Sequence, residues 1–161
     1  MRVGIGVDLH RFKPDRLLVL GGVEIPHHQG LEGHSDADAL THAICDALLG
    51  AAALGDIGKH FPDSDPQYAD ISSLVLLERV YGMLTEQGWS IGNVDAVVLA
   101  EAPKLAPYID EMIQRLGDVL AIERGQINLK ATRAEGLGAI GRNEGIYAQA
   151  VACLVPNPST P

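Results

Sequence analysis

The feature that most constrains this chain is the alternation of strand-like and helix-like segments along its length. Strand-like segments with long apolar runs fall at residues 3–10, 16–25 (turned at Gly21-Gly22), 94–101, 127–133 and 145–155. Helix-like segments lie between them, at residues 36–49, 72–87 and 106–120. Only 4% of the residues are aromatic, so the core must consist mainly of Val, Leu, Ile and Ala. The pattern predicts one α/β-type domain in which helices cover at least one face of a sheet.

Composition excludes several kinds of partner. Acidic residues outnumber basic residues by 21 to 12, and the formal net charge is −9. Nucleic acids and anionic membranes attract basic surfaces, so neither is expected as a partner. The longest apolar run, residues 47–54, is far shorter than the roughly 20 residues that span a bilayer. Met1-Arg2 leads directly into a strand-like run, so no signal peptide is expected.

The cysteines and the chain end complete this outline. Cys45 and Cys153 lack CxxC spacing, so they are expected to be free thiols in a reducing compartment. The sequence therefore predicts a cytoplasmic protein. Residues 1–156 are predicted to form the domain, and residues 157–161 to be a disordered tail.

A candidate metal site combines the first strand with the first helix. Asp8 and His10 alternate on the strand, so their side chains project from the same face. His42 lies on the helix four residues after Asp38 and four before Asp46, so either aspartate could orient it. Two imidazoles and one carboxylate are a known ligand set for catalytic zinc. Spacing alone also fits an ordinary core or surface histidine, so both interpretations stay open.

Polar loops offer further candidates. Residues 33–36 lead into the first helix, where free N–H groups could bind phosphate or where Ser35 could be a plain N-cap. Residues 55–63 fit a functional loop and a solvated turn equally well. Residues 100–107 could offer backbone groups to a planar base, or could simply start a helix. Farther along, Glu135 is a candidate ligand for a hard cation such as Mg²⁺.

Ordered motifs extend along nearly the whole chain, to about Val155. They are Gly-x-Asp-x-His-x-Phe at 6–12, Gly-Gly-Val-x-Ile-Pro at 21–26, Gly-His-Ser-Asp-Ala-Asp at 33–38, the segment 42–58, Phe-Pro-Asp at 61–63, Gly-Asn-Val-Asp at 92–95, Ala-Pro-Lys at 102–104, Asn-Leu-Lys-Ala-Thr at 128–132 and Gly-Arg-x-Glu-Gly at 141–145. Together they resemble the 2-C-methyl-D-erythritol 2,4-cyclodiphosphate synthases of the non-mevalonate isoprenoid pathway.

This resemblance implies an α+β fold and a homotrimer whose sheets face the central axis, with active sites between neighbouring subunits. The implied reaction converts 4-diphosphocytidyl-2-C-methyl-D-erythritol 2-phosphate into the cyclic diphosphate and CMP, in a monofunctional enzyme. One zinc ion per subunit would be bound by Asp8, His10 and His42. A Mg²⁺ or Mn²⁺ ion would accompany the substrate diphosphate.

The resemblance also implies roles for individual residues. His34, Arg133 and Glu135 would be catalytic: His34 near the attacking phosphate, Arg133 as a neutralising charge, and Glu135 on the second metal. Residues 100–106 of the neighbouring subunit would form the cytidine pocket. The full set of implied substrate contacts is Asp8, His10, His34, Ser35, Asp56, Ile57, Gly58, Phe61, Asp63, Ala100, Pro103, Lys104, Leu105, Ala106, Ala131, Thr132, Glu135, Ala139 and Arg142.

Two positions depart from the family pattern. Arg133 interrupts what is usually a run of threonines, and Ala139 replaces an aromatic residue near the central cavity. Binding of isoprenoid diphosphates in that cavity therefore stays an open question. Two alternative functions also stay open. A zinc phosphohydrolase would release inorganic phosphate rather than CMP, and a non-enzymatic metal-binding trimer would have no activity to lose.

Overall fold

The computed structural model describes residues 1–157, and most of its strands form one mixed sheet. The first strand along the chain is β1 (Arg2–Lys13), and β2 (Leu18–Leu20) and β3 (Val23–Ile25) form a separate hairpin. The other strands are β4 (Gly30–Leu31), β5 (Trp89–Leu99), β6 (Ile127–Thr132) and β7 (Gly145–Pro156). The order in the five-stranded sheet is β4-β1-β7-β5-β6, in which β5 and β6 are parallel and the other neighbours antiparallel.

Helices follow the strands and pack on the sheet. They are α1 (Ala39–Ala51), α2 (Ile57–His60), α3 (Ser73–Glu86), α4 (Ile109–Leu120) and α5 (Gly138–Gly141), with 3₁₀ turns at Pro66–Tyr68, Ala106–Tyr108 and Arg124–Gln126. α1 lies directly against β1 and β7, and ten of its 13 residues are buried. Such burial is expected of a helix that is apolar on most sides. The prediction of a single domain with a helix-covered sheet is confirmed.

Small residues allow α1 to approach the sheet closely. A Cβ atom on Gly4 would lie 2.1 Å from the carbonyl oxygen of Ala47, and one on Gly6 would lie 2.0 Å from that of Ala43. β7 presents three small residues to the same side, each at most 1% exposed: Ala148, Ala150 and Ala152. The same register places Asp8 beside Ala148, so the close approach brings α1 near the candidate metal ligands.

The opposite face of the sheet is apolar and exposed in the single chain. Alternate residues of β1 project there and are 48% to 63% exposed: Val3, Ile5, Val7 and Leu9. Val151 of β7 pairs with Ile5 and is 38% exposed. One strand therefore separates a closely packed side from an open apolar side.

The first helix begins three residues later than predicted, and Ser35 is not its N-cap. Ala37 adopts a left-handed conformation (φ 58°), which interrupts the helical path before Asp38. Asp38 is the N-cap and accepts a hydrogen bond from the N–H of Thr41. Ser35 instead accepts from the N–H of Ala37 at 3.1 Å. The alternative in which Ser35 is a plain N-cap is therefore wrong, and phosphate binding by the loop 33–36 stays a prediction.

Other predicted elements agree with the structure more closely. The segment 16–25 is the β2–β3 hairpin, turned at Gly21-Gly22 with φ values of 56° and 72°. α3 ends before Gly88, whose φ is 74°. The predicted tail lies outside the described residues except for Asn157, whose N–H donates to the carbonyl of Gly88 at 2.8 Å. Across the described residues, no helix has the length and apolarity needed to cross a membrane.

Candidate metal centre

Three side chains from two elements converge as predicted. Oδ2 of Asp8 lies 2.9 Å from Nε2 of His10 and 3.0 Å from Nδ1 of His42. One ligand atom from each of the three residues lies within 4.8 Å of the others. Zinc binds such atoms at about 2.0–2.2 Å in a tetrahedral arrangement, which separates ligand atoms by about 3.3 Å. The donor types and their spacing therefore fit a zinc ion.

The orientation of His10 follows from its backbone neighbour. Its Nδ1 lies 2.6 Å from the carbonyl oxygen of Glu32, which follows β4. A carbonyl can only accept, so Nδ1 carries a proton and Nε2 has the lone pair in the neutral ring. The lone pair faces Asp8 and His42. The two-residue strand β4, which the sequence did not predict, thus places the carbonyl that orients His10.

Hydroxyl groups, not the two predicted aspartates, orient His42. Its Nε2 lies 2.9 Å from Oγ of Ser73 and 3.2 Å from Oγ of Ser35. Asp38 accepts hydrogen bonds from the N–H groups of Gly21 and Gly22 and from Thr41. Asp46 accepts a hydrogen bond from the N–H of Ile57. The carboxylates are thus bonded to these groups and not to the ring of His42. The prediction that Asp38 or Asp46 orients His42 is therefore wrong.

Electrostatics at the centre favour a cation. Burial disfavours the charged form of Asp8, but His10 and His42 outweigh it when their rings carry a proton on the nitrogen that faces Asp8, and they then hold the pKa of Asp8 well below its usual range. Burial likewise disfavours charge on His10, but the hydrogen bond and the charge of Asp8 raise the pKa of His10 above its usual value. The carboxylate is therefore ionised at neutral pH and attracts positive charge to the space between the rings.

A cleft of about 380 Å³ opens beside these ligands. The predicted substrate contacts from Asp8 to Asp63 form a first group, and most of them line this cleft together with the metal ligand His42: His10, His34, Ser35, Ile57, Gly58, Phe61 and Asp63. Asp56 caps α2 by accepting from the N–H of Lys59 at 2.9 Å. The carbonyl of Asp65 lies 3.1 Å from Nε2 of His34. The loop 55–63 is therefore a wall of the cleft, which supports the functional interpretation of that loop.

The predicted substrate contacts from Ala100 to Arg142 form a second group, which lies elsewhere in the single chain. Residues 100–106 and 131–135 follow the ends of β5 and β6, and β6 is separated from β1 by β7 and β5. Strand spacings of about 4.8 Å place the end of β5 roughly 10 Å and the end of β6 roughly 14 Å from β1 across the sheet. The N–H of Ala100 donates to the carbonyl of Thr132 at 3.1 Å, so the two segments of this group contact each other. The peptide bond between Ala102 and Pro103 is cis.

Several members of this second group are exposed. They are Lys104, Ala106, Ala131, Thr132, Glu135, Ala139 and Arg142, whereas Ala100 and Leu105 are buried. Ala139 lines a second cleft of about 680 Å³ next to β1. Nε of Arg142 donates to Glu144 at 2.6 Å. Ala139 thus shares this second cleft with one of the three candidate metal ligands, His10.

Arg133 has a partner that the sequence did not reveal. Its guanidinium donates to Oε1 of Glu101 from Nη2 (2.8 Å) and Nε (3.1 Å). Oε2 of Glu101 accepts from the N–H of Ala134 at 3.2 Å. The hydrogen bond from Arg133 is the main cause of the lowered pKa of Glu101. Both residues adjoin predicted binding segments, but only the folded chain brings them together.

Known proteins are similar to this chain in sequence and in fold. A model of the YgbB family matches residues 1–155. The 2-C-methyl-D-erythritol 2,4-cyclodiphosphate synthase of Syntrophomonas wolfei is 63% identical over 154 residues, covering 96% of this chain and 98% of that protein. The structure of IspF from Plasmodium falciparum, a CDP complex, has a TM-score of 0.85 at 34% identity, covering 97% of this chain and 96% of that chain.

A larger protein contains the same fold. The bifunctional IspDF of Campylobacter jejuni matches with a TM-score of 0.92 at 40% identity, over 95% of this chain. This chain spans 42% of the length of that bifunctional protein. The family resemblance read from the motifs is thus confirmed by sequence and by structure. The chain belongs to the YgbB family of 2-C-methyl-D-erythritol 2,4-cyclodiphosphate synthases.

Proposed function

We propose that this enzyme converts 4-diphosphocytidyl-2-C-methyl-D-erythritol 2-phosphate into 2-C-methyl-D-erythritol 2,4-cyclodiphosphate and CMP. The observation that carries the proposal is the convergence of Asp8, His10 and His42 beside a cleft lined by His34 and Ser35. The identity to the Syntrophomonas wolfei synthase and the CDP complex of the Plasmodium falciparum protein support the reaction and the cytidine part of the substrate.

The reaction joins two anionic groups. An oxygen of the substrate's 2-phosphate forms a bond to the β-phosphorus, and the bond from that phosphorus to the α-phosphate oxygen breaks. CMP leaves with the electron pair of the broken bond. Positioning and charge neutralisation therefore account for most of the catalysis, and little covalent chemistry falls to the protein.

The metal ligands and the cleft would act on the reacting phosphates. Asp8, His10 and His42 would hold one zinc ion per subunit, and zinc when bound would polarise the β-phosphate. His34 and Ser35 would hold the attacking phosphate from the adjacent wall. On the other side of the cleft, Asp56, Ile57, Gly58, Phe61 and Asp63 would position the methylerythritol part.

A neighbouring subunit would supply the second half of the site. Residues 100–106 would form the cytidine pocket with Ala131 and Thr132, and Glu135 would hold Mg²⁺ or Mn²⁺ on the diphosphate. Arg133 would neutralise phosphate charge, although its guanidinium is also bonded to Glu101. Arg142 would support structure or phosphate binding, and Ala139 would line the subunit boundary.

A homotrimer with sheets facing its axis would bring these halves together. In one chain the second group lies two or three strand spacings from β1, roughly 10–14 Å away, and one substrate diphosphate would have to reach both metals, which supports this assembly. The exposed apolar residues of β1 supply a surface that association would bury. A cytoplasmic location fits the two free thiols, one of them buried.

CMP release from the cytidyl diphosphate substrate with added Mg²⁺ tests the proposal. Wild type should release CMP together with the cyclic diphosphate, and His42→Ala should lose at least about 100-fold in rate, as expected when a ligand of a catalytic metal is removed. His28→Ala is the matched control, because His28 is an exposed histidine outside the cleft. Release of inorganic phosphate instead of CMP would favour a phosphohydrolase. Wild type that holds zinc and has no activity would favour the non-enzymatic alternative.

A further inference from the structure

His42 is held by hydroxyl groups on the side opposite the metal position. Its Nδ1 faces Oδ2 of Asp8 at 3.0 Å, whereas its Nε2 lies 2.9 Å from Oγ of Ser73. Ser73 is fully buried and is the first residue of α3, so this contact joins α3 to a metal ligand on α1. The proposed reaction assigns no step to Ser73.

The hydrogen bond between Ser73 and His42 has a fixed direction. Oγ of Ser73 also makes a short hydrogen bond to Oδ1 of Asp36, and an ionised carboxylate can only accept. A serine hydroxyl has a single proton, so Ser73 donates to Asp36 and accepts from His42. Nε2 of His42 therefore carries a proton, and in the neutral ring the lone pair lies on Nδ1.

Asp36 is itself fixed by backbone groups. Its Oδ2 accepts from the N–H of Ser73 at 2.9 Å, and its Oδ1 accepts from the N–H of Asp38 at 3.2 Å. Its own N–H donates to the carbonyl of Ile71 at 3.1 Å. With three donors converging on this carboxylate, the Ser73 hydroxyl has a strong acceptor in a set position, and the direction of its hydrogen bond is maintained.

We propose that Ser73 and Asp36 are positioning residues for the metal centre, fixing His42 as its Nε2–H tautomer so that Nδ1 presents its lone pair to the cation. The inference rests on the proposed metal site and assigns it two further residues. A lone pair on Nδ1 facing the Asp8 carboxylate is unfavourable until a cation lies between them. The Asp36–Ser73 pair thus selects the form of His42 that requires a cation.

The two histidine ligands are oriented by different means. The backbone carbonyl of Glu32 fixes His10, and no side-chain substitution removes that group. His42 depends on side chains, and its weaker second contact is Ser35 at 3.2 Å. Partners of metal-ligating histidines typically contribute about 10- to 100-fold to metal affinity. The orientation of His42 can therefore be tested by substitution.

Zinc affinity measured by competition with a chromophoric chelator tests the inference without substrate. Ser73→Ala should weaken zinc binding by about 10- to 100-fold, and Ser73→Thr, which keeps the hydroxyl, should restore much of it. Ser72→Ala is the matched control, since Ser72 is exposed, adjacent in sequence and makes no side-chain capping bond. Equal zinc affinity in the Ser73→Ala and Ser72→Ala proteins would overturn the inference.

Nitrogen-15 NMR of the imidazole rings tests the wild type directly, so the inference does not depend on the folding of a variant. In the zinc-bound protein, Nε2 of His42 should carry a proton and Nδ1 should bind the metal. Zinc bound through Nε2 would overturn the inference. Ser73→Ala should also alter the d–d absorption bands of the Co²⁺-substituted protein, because the ring is no longer held. A purely structural role for Ser73 would leave those bands unchanged.

CMP release separates this inference from the proposed function. If wild type releases CMP while Ser73→Ala keeps full zinc affinity, the proposed function stands and the inference fails. If zinc binding depends on Ser73 but wild type releases no CMP, the inference stands and the proposed reaction fails.

Discussion

The two faces of β1 show how one strand serves two purposes. On one face, Gly4 and Gly6 leave room for α1, and Asp8 and His10 continue the same face toward the metal centre. On the other face, the alternate apolar residues from Val3 to Leu9 remain 48% to 63% exposed. The first face is covered within the chain, whereas the second is open in the single chain and is the proposed contact between subunits.

The difference teaches that the register of β1 determines both the metal site and the open surface. Side chains alternate across a strand, so a slip of one residue would exchange the two faces. Such a slip would place valines and a leucine against α1 and would turn Asp8 and His10 away from His42. The two faces should therefore respond differently to substitution, and the following predictions test that difference.

The largest effect is expected at the helix-facing side. Gly6→Val would place a branched side chain where even a Cβ atom lies 2.0 Å from the carbonyl of Ala43. Moving α1 to relieve this clash should cost at least about 3 kcal/mol and separate His42 from Asp8. Thermal unfolding followed by circular dichroism should show an early transition or no folded protein. A Gly6→Val protein with wild-type stability and zinc affinity would contradict the close packing.

A large effect on assembly, with little effect on folding, is expected at the open side. Ile5→Asp puts a charge on the exposed face, where Ile5 is 61% exposed. The chain should fold and bind zinc but should remain a monomer by light scattering, and its CMP release should fall sharply. Leu17→Asp is the control, since Leu17 is 63% exposed but lies outside the sheet. A stable Ile5→Asp trimer would place the subunit contact on another surface.

An intermediate effect is expected from pH, which should change the stability of the metal-free protein through His10 and Asp8. The raised pKa of His10 stabilises the metal-free fold at pH values below about 6.5, and this contribution is lost as the pH rises through the raised value. The lowered pKa of Asp8 contributes above about pH 3.9 and is lost as the pH falls through the lowered value. The pair therefore stabilises the metal-free protein most between about pH 4 and 6.5.

Zinc reverses this dependence because it needs a neutral His10. Its affinity should fall as the pH drops through the raised pKa of His10, by up to about tenfold per pH unit for one displaced proton. The increase in Tm caused by zinc should thus be larger at pH 8 than at pH 6. Full zinc occupancy at pH 5 would count against this ligand set.

The smallest effect is expected for a glycine that lies outside the contact between α1 and the sheet, where a side chain should not lower stability. Gly82 lies inside α3, and a Cβ atom there would meet no atom within 4 Å. Gly82→Ala should therefore stabilise the protein by about 0.5–1 kcal/mol, because alanine restricts the unfolded chain and favours the helix. Urea unfolding measures the change. A destabilised Gly82→Ala protein would show that α3 has a close neighbour on this side in the assembled enzyme.

The metal ligands could be predicted from the sequence because local geometry determines them. Alternation placed Asp8 and His10 on one face, and His42 was added as the histidine of the following helix. The partners of His42 could not be found in this way. Helical spacing favoured Asp38 and Asp46, but tertiary hydrogen bonds to the β2–β3 turn and to Ile57 hold these carboxylates elsewhere. Ser73 lies 31 residues beyond His42, and only the packing of α3 brings it near.

Two other features of the structure also could not be predicted from local sequence patterns. The left-handed Ala37 that delays α1 is an ordinary residue in an uncommon conformation, and no glycine marks it. The pairing of Arg133 with Glu101 joins residues 32 positions apart at the ends of two adjacent strands. Strand order decides such contacts, and the alternation of strands and helices leaves that order undetermined. Local sequence patterns predicted the strands and helices, whereas their arrangement in space could be seen only in the structure.

Because the three candidate metal ligands bridge β1 and α1, a bound ion would also hold the first helix against the sheet. Metal that binds only the folded chain stabilises it by about 2.7 kcal/mol at a free concentration 100 times the dissociation constant. If the proposed site binds zinc, a cell short of zinc would lose more than catalytic capacity. Its enzyme molecules would open more often between strand and helix, and proteases would remove them sooner.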